Sequence, residues 1–179
     1  MLKRRAVFLD RDGVVNHPVI RNGKSYSPQS IEEFELLPGV IQAVNSLRQA
    51  GFLIVIVTNQ PDVSKGTQTR EVIESMHNVL WSTLSLDDIK ICFHVDLDGC
   101  YCRKPKPGML FEAARELEID LSLSFIVGDR WRDVAAGKSA GCYTFFIDYG
   151  YAEQRPDDPD AIVESLEEAS QLILEGEQI

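Results

Sequence analysis

A short apolar stretch that ends in two closely spaced acids constrains this chain more than any other feature. Residues 6–9 read Ala-Val-Phe-Leu without a polar break, which is typical of a strand buried on both faces of a sheet. Asp10 and Asp12 follow at once, with Gly13 behind them. Alternate residues of an extended segment point the same way, so both carboxylates can face one cavity. Buried carboxylates are costly unless they are paired or hold a metal, although a polar loop that caps the next element is the plainer alternative.

The length and composition favour one globular domain over residues 1–179. A chain of 179 residues can bury a full core, and its 44% hydrophobic and 26% charged residues are ordinary values. A net charge of −10 disfavours a broad nucleic-acid surface, which needs a basic stripe. No run approaches the ~18 apolar residues of a membrane span, and the basic N-terminus leads only into a short strand. We therefore expect a cytoplasmic protein that binds neither nucleic acid nor membrane.

Apolar strands and helical stripes alternate along the chain. Further buried strands are predicted over residues 52–57, 89–91, 125–127 and 143–147. Apolar residues at helical spacing lie between and after them, and residues 17–37 and 150–160 are predicted as loops. This alternation predicts an α/β fold with a three-layer, Rossmann-like parallel sheet covered on both sides.

Polar side chains follow three of the predicted strands at the point where each strand ends. Asp10 follows the first, Thr58 and Asn59 the second, and Asp129 the fourth. The carboxyl ends of parallel strands share one edge of the sheet, where open α/β folds bind ligands. Asp133 lies four residues after Asp129, so a helix that begins at once puts both on one face. With Asp10 they predict an oxygen-rich site suited to Mg²⁺.

A basic segment precedes one of the predicted helices. Arg103, Lys104 and Lys106 stand in the sequence Arg-Lys-Pro-Lys-Pro and offer cations for an anionic group at the same edge. For Lys106, a solvated surface position is the plainer alternative. The segment completes a set that suits a phosphoryl group, because it adds positive charge to the acids and the Thr58 hydroxyl.

Three cysteines and a histidine are crowded into eleven residues just before the basic segment. Cys92, His94, Cys100 and Cys102 form two pairs, each with a one-residue spacer. Three thiolates and an imidazole complete a closed tetrahedral shell for Zn²⁺, with no position left for a catalytic water. A disulfide or unbound thiols are the alternatives, but in a reducing compartment the pattern favours metal. We expect a structural Zn²⁺ in a loop over residues 92–102.

This set of motifs resembles the haloacid-dehalogenase-like (HAD-like) phosphohydrolases over residues 5–150. The resemblance implies a HAD-like fold without a large cap domain, and a Mg²⁺-dependent enzyme that hydrolyses phosphomonoesters. The residues that carry it are Asp10-Arg11-Asp12-Gly13, Thr58, Lys104, and Gly128-Asp129 with Asp133.

The resemblance also implies a role for each matching residue. Asp10 is the nucleophile that forms an aspartyl-phosphate, and Asp12 is the general acid and then the base. Asp10, the main-chain carbonyl of Asp12 and Asp129 hold Mg²⁺. Thr58 and Lys104 hold the transferring phosphoryl group.

The cysteine-rich loop narrows the resemblance to one branch. Cys-x-His followed by Cys-x-Cys-Arg-Lys-Pro is similar to the D-glycero-D-manno-heptose 1,7-bisphosphate 7-phosphatases and to the histidinol-phosphate phosphatases. This likeness implies a cytosolic enzyme, a monomer, and a small phosphorylated sugar or metabolite as substrate. Asn59, Arg103 and the loop after Asn16 are then assigned to substrate. Arg130 stands where the branch usually has a lysine near the phosphate, so the charge is kept while its geometry changes.

Departures from the branch pattern bear on the substrate rather than on the reaction. Pro61-Asp62 stands where the branch usually has Ser-Gly, and Asp62 offers a negative charge to an imidazole or ammonium group. The alternatives left open are therefore a histidinol-phosphate phosphatase or another small sugar-phosphate phosphatase. A nucleic-acid 3′-phosphatase is disfavoured by the net charge. A non-catalytic, zinc-stabilised binding module is disfavoured by the complete motif set.

Overall fold

A parallel sheet forms the centre of the structure, a computed structural model that describes residues 4–176. Residues 1–3, part of the basic N-terminal segment, and residues 177–179 lie outside the described part. The strands are β1 Ala6–Leu9, β2 Val19–Arg21, β3 Lys24–Tyr26, β4 Leu53–Asn59, β5 Asp88–Cys92, β6 Phe125–Gly128, β7 Tyr143–Ile147 and β8 Ala161–Val163. The helices are α1 Val40–Gln49, α2 Arg70–Thr83, α3 Gly108–Leu117, α4 Trp131–Ala140 and α5 Leu166–Gly176.

Six of these strands form one sheet in the order β5-β4-β1-β6-β7-β8, with every neighbouring pair parallel. β1 is buried along its whole length between β4 and β6. Val7 and Leu9 belong to a hydrophobic cluster with α1 and α5, whereas Ala6 and Phe8 belong to a second cluster with α3 and α4. Helices therefore cover both faces, which confirms the predicted three-layer α/β sheet. Among residues 4–176, no helix combines the length and the apolar character that a bilayer span requires.

Helix α4 lies very close to the sheet because small residues line its inner face. A Cβ atom added at Gly137 would lie 2.2 Å from Cγ2 of Ile126 in β6. No larger residue fits at that position without a shift of the helix. The close contact keeps the first turn of α4, which carries Asp133, beside the end of β6.

Two segments that the sequence analysis predicted as loops contain or adjoin regular structure. Within residues 17–37, β2 and β3 form an antiparallel hairpin through Asn22 and Gly23, both of which have positive φ. A single 3₁₀ turn follows at Ile31–Glu33. After residues 150–160, β8 adds an unpredicted edge strand beside β7. Each of these strands is only three residues long, too short for a periodic pattern, and depends on its pairing partner.

Candidate active site

The ends of β1 and β6 and the first turn of α4 bring three carboxylates together. Asp10, Asp129 and Asp133 are buried, and one ligand atom from each lies within 4.8 Å of the others. Asp10 is fixed at the end of β1 because its backbone N–H donates to the carbonyl of Val127 at 3.0 Å. The parallel register of β1 and β6 thus places acids that are far apart in the sequence at one edge of the sheet.

Lys104 extends into the middle of this carboxylate cluster. Its Nζ lies 2.8 Å from Oδ1 of Asp10 and 2.5 Å from Oδ1 of Asp133, and it also donates to the carbonyl of Val57 at 2.7 Å. Burial alone would lower the pKa of Lys104, but the two carboxylates outweigh it and raise the pKa above its ordinary value. The lysine is therefore held as a cation among the acids.

Asn59 fixes the backbone of Lys104 from the end of β4. Its Nδ2 donates to the carbonyl of Lys104 at 3.0 Å, and its Oδ1 accepts from the N–H of Lys104 at 3.1 Å. Asn59 also lines the cleft in front of the cluster. Asn59, which the resemblance assigns to substrate, thus has a structural contact that positions Lys104.

The carboxylate cluster has the chemistry of a site for a hard divalent cation. Burial, followed by Asp133, raises the pKa of Asp10 to about 6, although Lys104 opposes the rise. Burial, Asp10 and Asp133 raise the pKa of Asp129 well above its usual range. Oδ1 of Asp129 is buried and has no hydrogen-bond partner among the described residues. An uncompensated acceptor of this kind, in a crowd of carboxylates, fits a bound Mg²⁺.

The second oxygen of Asp129 accepts one hydrogen bond and lies close to Gly13. Tyr151 donates its hydroxyl to Oδ2 at 2.9 Å from the loop after β7. Gly13 has φ of +93°, and a Cβ atom at this position would lie 1.9 Å from the same Oδ2. The glycine of the first motif is therefore required twice, by its backbone conformation and by the close approach of Asp129.

Asp12 stands at the edge of the cleft and accepts five hydrogen bonds from three side chains. Gln60 Nε2 donates to Oδ2 at 2.9 Å, and Asn16 Nδ2 donates to Oδ1 at 3.0 Å. Arg11 supplies the other three contacts through Nε and Nη2, at 3.1–3.3 Å. The sequence patterns alone indicate no role for Arg11 or Gln60. Their positions, between the two acids and directly after Thr58-Asn59, were the only signals.

Thr58 lies next to Asn59 in β4 and is almost fully buried. Its Oγ1 accepts a hydrogen bond from Gln60 Nε2 at 2.8 Å. Because an accepting hydroxyl keeps its own proton, Thr58 can still donate one hydrogen bond. Gln60 thereby connects Thr58 to Asp12.

A polar cleft of about 280 Å³ opens in front of Asp10 and Asp12. It is lined on one side by β3 and the residues after it, and on the other by Arg103. Arg103 donates to Asp96 at 2.9 Å, and Arg130 is ion-paired with Glu153. Both arginines assigned to substrate therefore line the cleft with acidic partners already in place.

Asp62, which the sequence analysis considered for an ammonium or imidazole group, also lines the cleft. Its carboxylate lies 3.0 Å from Nζ of Lys65. The negative charge is thus offset by a neighbouring lysine, which weakens the case for a cationic substrate.

The three cysteines and the histidine meet at the end of β5. The sulfur of Cys92 lies 3.2 Å from that of Cys102 and 3.7 Å from that of Cys100, and His94 Nδ1 lies 3.3 Å from Cys102. None of the cysteines is bridged, so the disulfide alternative does not hold. Zn–S bonds of about 2.3 Å imply sulfur separations of about 3.8 Å in a tetrahedral site. The cluster therefore fits Zn²⁺.

The zinc-type cluster is linked directly to the basic segment. Lys106 donates to the carbonyls of Gly99 and Cys100, at 2.9 Å and 2.6 Å. Lys106 is thus committed to the loop itself, whereas Lys104, two residues earlier, reaches the carboxylates. The loop that carries the sulfur ligands therefore sets the position of Lys104.

Comparisons with known proteins agree with this geometry. A family model described as HAD-hydrolase-like matches residues 101–169. The chain is 38% identical over 148 residues to a D-glycero-beta-D-manno-heptose-1,7-bisphosphate 7-phosphatase of Pasteurella multocida, covering 76% of this chain and 77% of that protein. It is 39% identical over 152 residues to the protein of the same name from Yersinia pestis, covering 78% and 77%.

A solved structure extends the likeness to almost the whole chain. It is a D,D-heptose 1,7-bisphosphate phosphatase from B. bronchiseptica complexed with magnesium and phosphate. The TM-score is 0.78 at 30% sequence identity, and the match covers 97% of this chain and 99% of that one.

Proposed function

We propose, from the premise that this chain belongs to the HAD-like hydrolases and to their heptose-1,7-bisphosphate 7-phosphatase group, that it removes the 7-phosphate of D-glycero-D-manno-heptose 1,7-bisphosphate. One observation supports the reaction above all others: Asp10, Asp129, Asp133 and Lys104 share one buried cluster, and all of these except Asp129 also line the open cleft. The choice of this substrate is supported by the relatives and by the polar lining of the cleft.

The reaction that this arrangement suits proceeds in two displacements. In the first, a carboxylate oxygen of Asp10 bonds to phosphorus, the bond to the sugar oxygen breaks, and Asp12 gives that oxygen a proton. In the second, Asp12 takes a proton from a water that attacks the aspartyl-phosphate. Inorganic phosphate leaves and both carboxyl groups return to their starting state. Lys104 orients Asp10, and Thr58 donates to the transferred group.

The same residues would hold Mg²⁺. Asp10, Asp129 and the main-chain carbonyl of Asp12 are its proposed ligands, and Asp133 is the third carboxylate of the cluster. When bound, Mg²⁺ offsets the negative charge that develops on the transferring phosphoryl group.

Tyr151 gives a direct test of this metal site. Because its hydroxyl holds Oδ2 of Asp129, we expect Tyr151→Phe to weaken Mg²⁺ binding by about tenfold, as loss of a partner to a metal ligand commonly does. Calorimetric titration with Mg²⁺ of protein that keeps its Zn²⁺ but has been dialysed free of Mg²⁺ measures this directly. Tyr149→Phe is the matched control, since the Tyr149 hydroxyl donates to the carbonyl of Gly13 rather than to a carboxylate. Equal Mg²⁺ affinity in Tyr151→Phe and wild type would contradict the assignment.

Cys92, His94, Cys100 and Cys102 are the proposed ligands of a structural Zn²⁺. Four protein ligands close the coordination shell, so the metal stabilises the loop and takes no part in the reaction. Thiols kept free of disulfides also support our proposal that the protein works in the cytoplasm. A monomer as the working unit is part of the same proposal.

A substrate panel tests the proposed function. We expect phosphate release, measured with Mg²⁺ present, to be fastest per unit concentration for heptose 1,7-bisphosphate. Fructose 1,6-bisphosphate, histidinol phosphate and a 3′-phosphorylated oligonucleotide complete the panel. A higher kcat/KM for histidinol phosphate would reassign the substrate within the same reaction class. Failure to hydrolyse any phosphoester, including 4-nitrophenyl phosphate, would favour the non-catalytic binding module.

A further inference from the structure

A buried network beside Asp12 has no part in the mechanism described above. The side chain of Arg11 is fully buried, although it carries a permanent charge. Its Nε and Nη2 atoms donate to Asp12, and Nη2 also donates to the hydroxyl of Ser27. The guanidinium carbon lies 5.7 Å from the ring centroid of Phe34. Its Nη1 lies 3.1 Å from Nε2 of His77 in α2.

His77 serves this network as a neutral acceptor. A guanidinium only donates hydrogen bonds, so Nε2 of His77 must accept and the ring carries its proton on Nδ1. Burial, and then the charge of Arg11, lower the pKa of His77 to about 4, which agrees with a neutral ring at pH 7. The histidine belongs to α2, a helix that supplies no other group to the cluster around Asp10.

Arg11 is the ion-pair partner of Asp12, and its orientation depends on having acceptors on both sides. In residues 4–176 no other cation pairs with Asp12, and its remaining donors, Gln60 and Asn16, are neutral amides. A buried guanidinium N–H without an acceptor is costly. If Nη1 lost its acceptor, the guanidinium would turn to satisfy it, and the edge that faces Asp12 would move away.

We propose that His77 is a positioning residue for proton transfer to the leaving group: it fixes Arg11 so that the Nε–Nη2 edge holds Asp12 where the departing oxygen receives its proton. This inference rests on the proposed function. In the first displacement the Asp10 oxygen–phosphorus bond forms, the phosphorus–oxygen bond to the leaving group breaks, and the proton passes from Asp12 to that oxygen. His77 touches none of the reacting atoms.

How much a displaced Asp12 slows the first displacement depends on the leaving group. A sugar oxygen departs as a poor leaving group unless it is protonated, so the position of Asp12 matters fully. The 4-nitrophenolate anion departs without a proton, so the position of Asp12 matters little. Because kcat/KM reports only the steps up to the first irreversible one, the hydrolysis of the aspartyl-phosphate does not enter the comparison.

The test compares kcat/KM for heptose 1,7-bisphosphate, or the best sugar phosphate of the panel, with that for 4-nitrophenyl phosphate, at saturating Mg²⁺. We expect His77→Leu to lower the sugar-phosphate value by about 100-fold, the lower end of what general acid catalysis contributes, and the aryl value by less than about threefold. His77→Gln keeps an acceptor near the position of Nε2 and should restore the ratio. Ile73→Val, a buried change on the same helix, is the control and should leave the ratio unchanged.

Failure of the positioning role and failure of the proposed function give different results. An equal loss on both substrates in His77→Leu, or a ratio that His77→Gln fails to restore, would overturn the positioning role. If His77→Leu does not fold, Arg11→Lys is measured instead, because lysine keeps the charge but cannot bridge Asp12 and His77. A ratio of the two kcat/KM values equal to that of wild type would then overturn the inference. A wild-type protein that hydrolyses neither substrate would instead overturn the proposed function.

Discussion

Asp10→Asn is expected to reduce phosphate release from every phosphoester by roughly 10⁴-fold or more, as loss of a nucleophile commonly does. The amide that replaces the carboxylate cannot form the aspartyl-phosphate. The fold should survive, because Asn has nearly the same size as Asp. The substitution also removes a buried negative charge, and burial already raises the pKa of the Asp10 carboxyl group to about 6. The measurements are phosphate release with Mg²⁺ and the thermal melting curve of the same sample.

Asp148→Asn is the matched control for this loss. Asp148 also follows a strand of the sheet, directly after β7, but its carboxylate is ion-paired with Arg155 and lies outside the cluster. We expect it to keep activity within about threefold, since surface changes of this kind have small effects. Turnover retained by a well-folded Asp10→Asn protein would rule out Asp10 as the nucleophile.

Cys100→Ser is expected to cost at least about 3 kcal/mol of unfolding free energy, because the binding energy of a structural metal is folding energy. For a chain of this length, such a loss lowers Tm by roughly 6–12 °C. The bound zinc should fall well below one equivalent. The kcat per folded molecule should change far less than stability, because Asn59 also holds the backbone of Lys104.

Cys142→Ala separates this effect from the loss of any buried thiol. Cys142 is buried and unbridged, and it lies outside the cluster. Its truncation should lower stability by about 1 kcal/mol and leave the zinc content unchanged. A Cys100→Ser protein that has the Tm of wild type and retains one equivalent of zinc would refute the structural role of the metal.

The fold was predictable because its strands and helices carry strong patterns. Uninterrupted apolar runs gave β1 and β4, and acids or hydroxyls directly after them indicated which edge carries the site. The hairpin of β2 and β3 and the edge strand β8 were missed, since three-residue strands form only through their partners. The sequence of a three-residue strand does not identify the strand with which it pairs.

Several side-chain contacts of the site were also not predictable from sequence patterns. The spacing of the acids predicts a cluster, but it does not predict that Arg11 is buried and pairs with His77, 66 residues away. Nor does it predict that Arg103 and Arg130 are each paired with an acid. Contacts of this kind are decided by packing between distant elements, which a single sequence does not specify.

The contact between Lys104 and Asp10 joins residues that are 94 positions apart. Asp129 joins them from β6, and Tyr151 holds it from a loop still further along the chain. A partly folded molecule, or a fragment that ends before β6, therefore lacks the complete set whatever its helix content. Turnover would then serve as an assay of the correctly assembled fraction in a preparation, more discriminating than any spectrum of secondary structure.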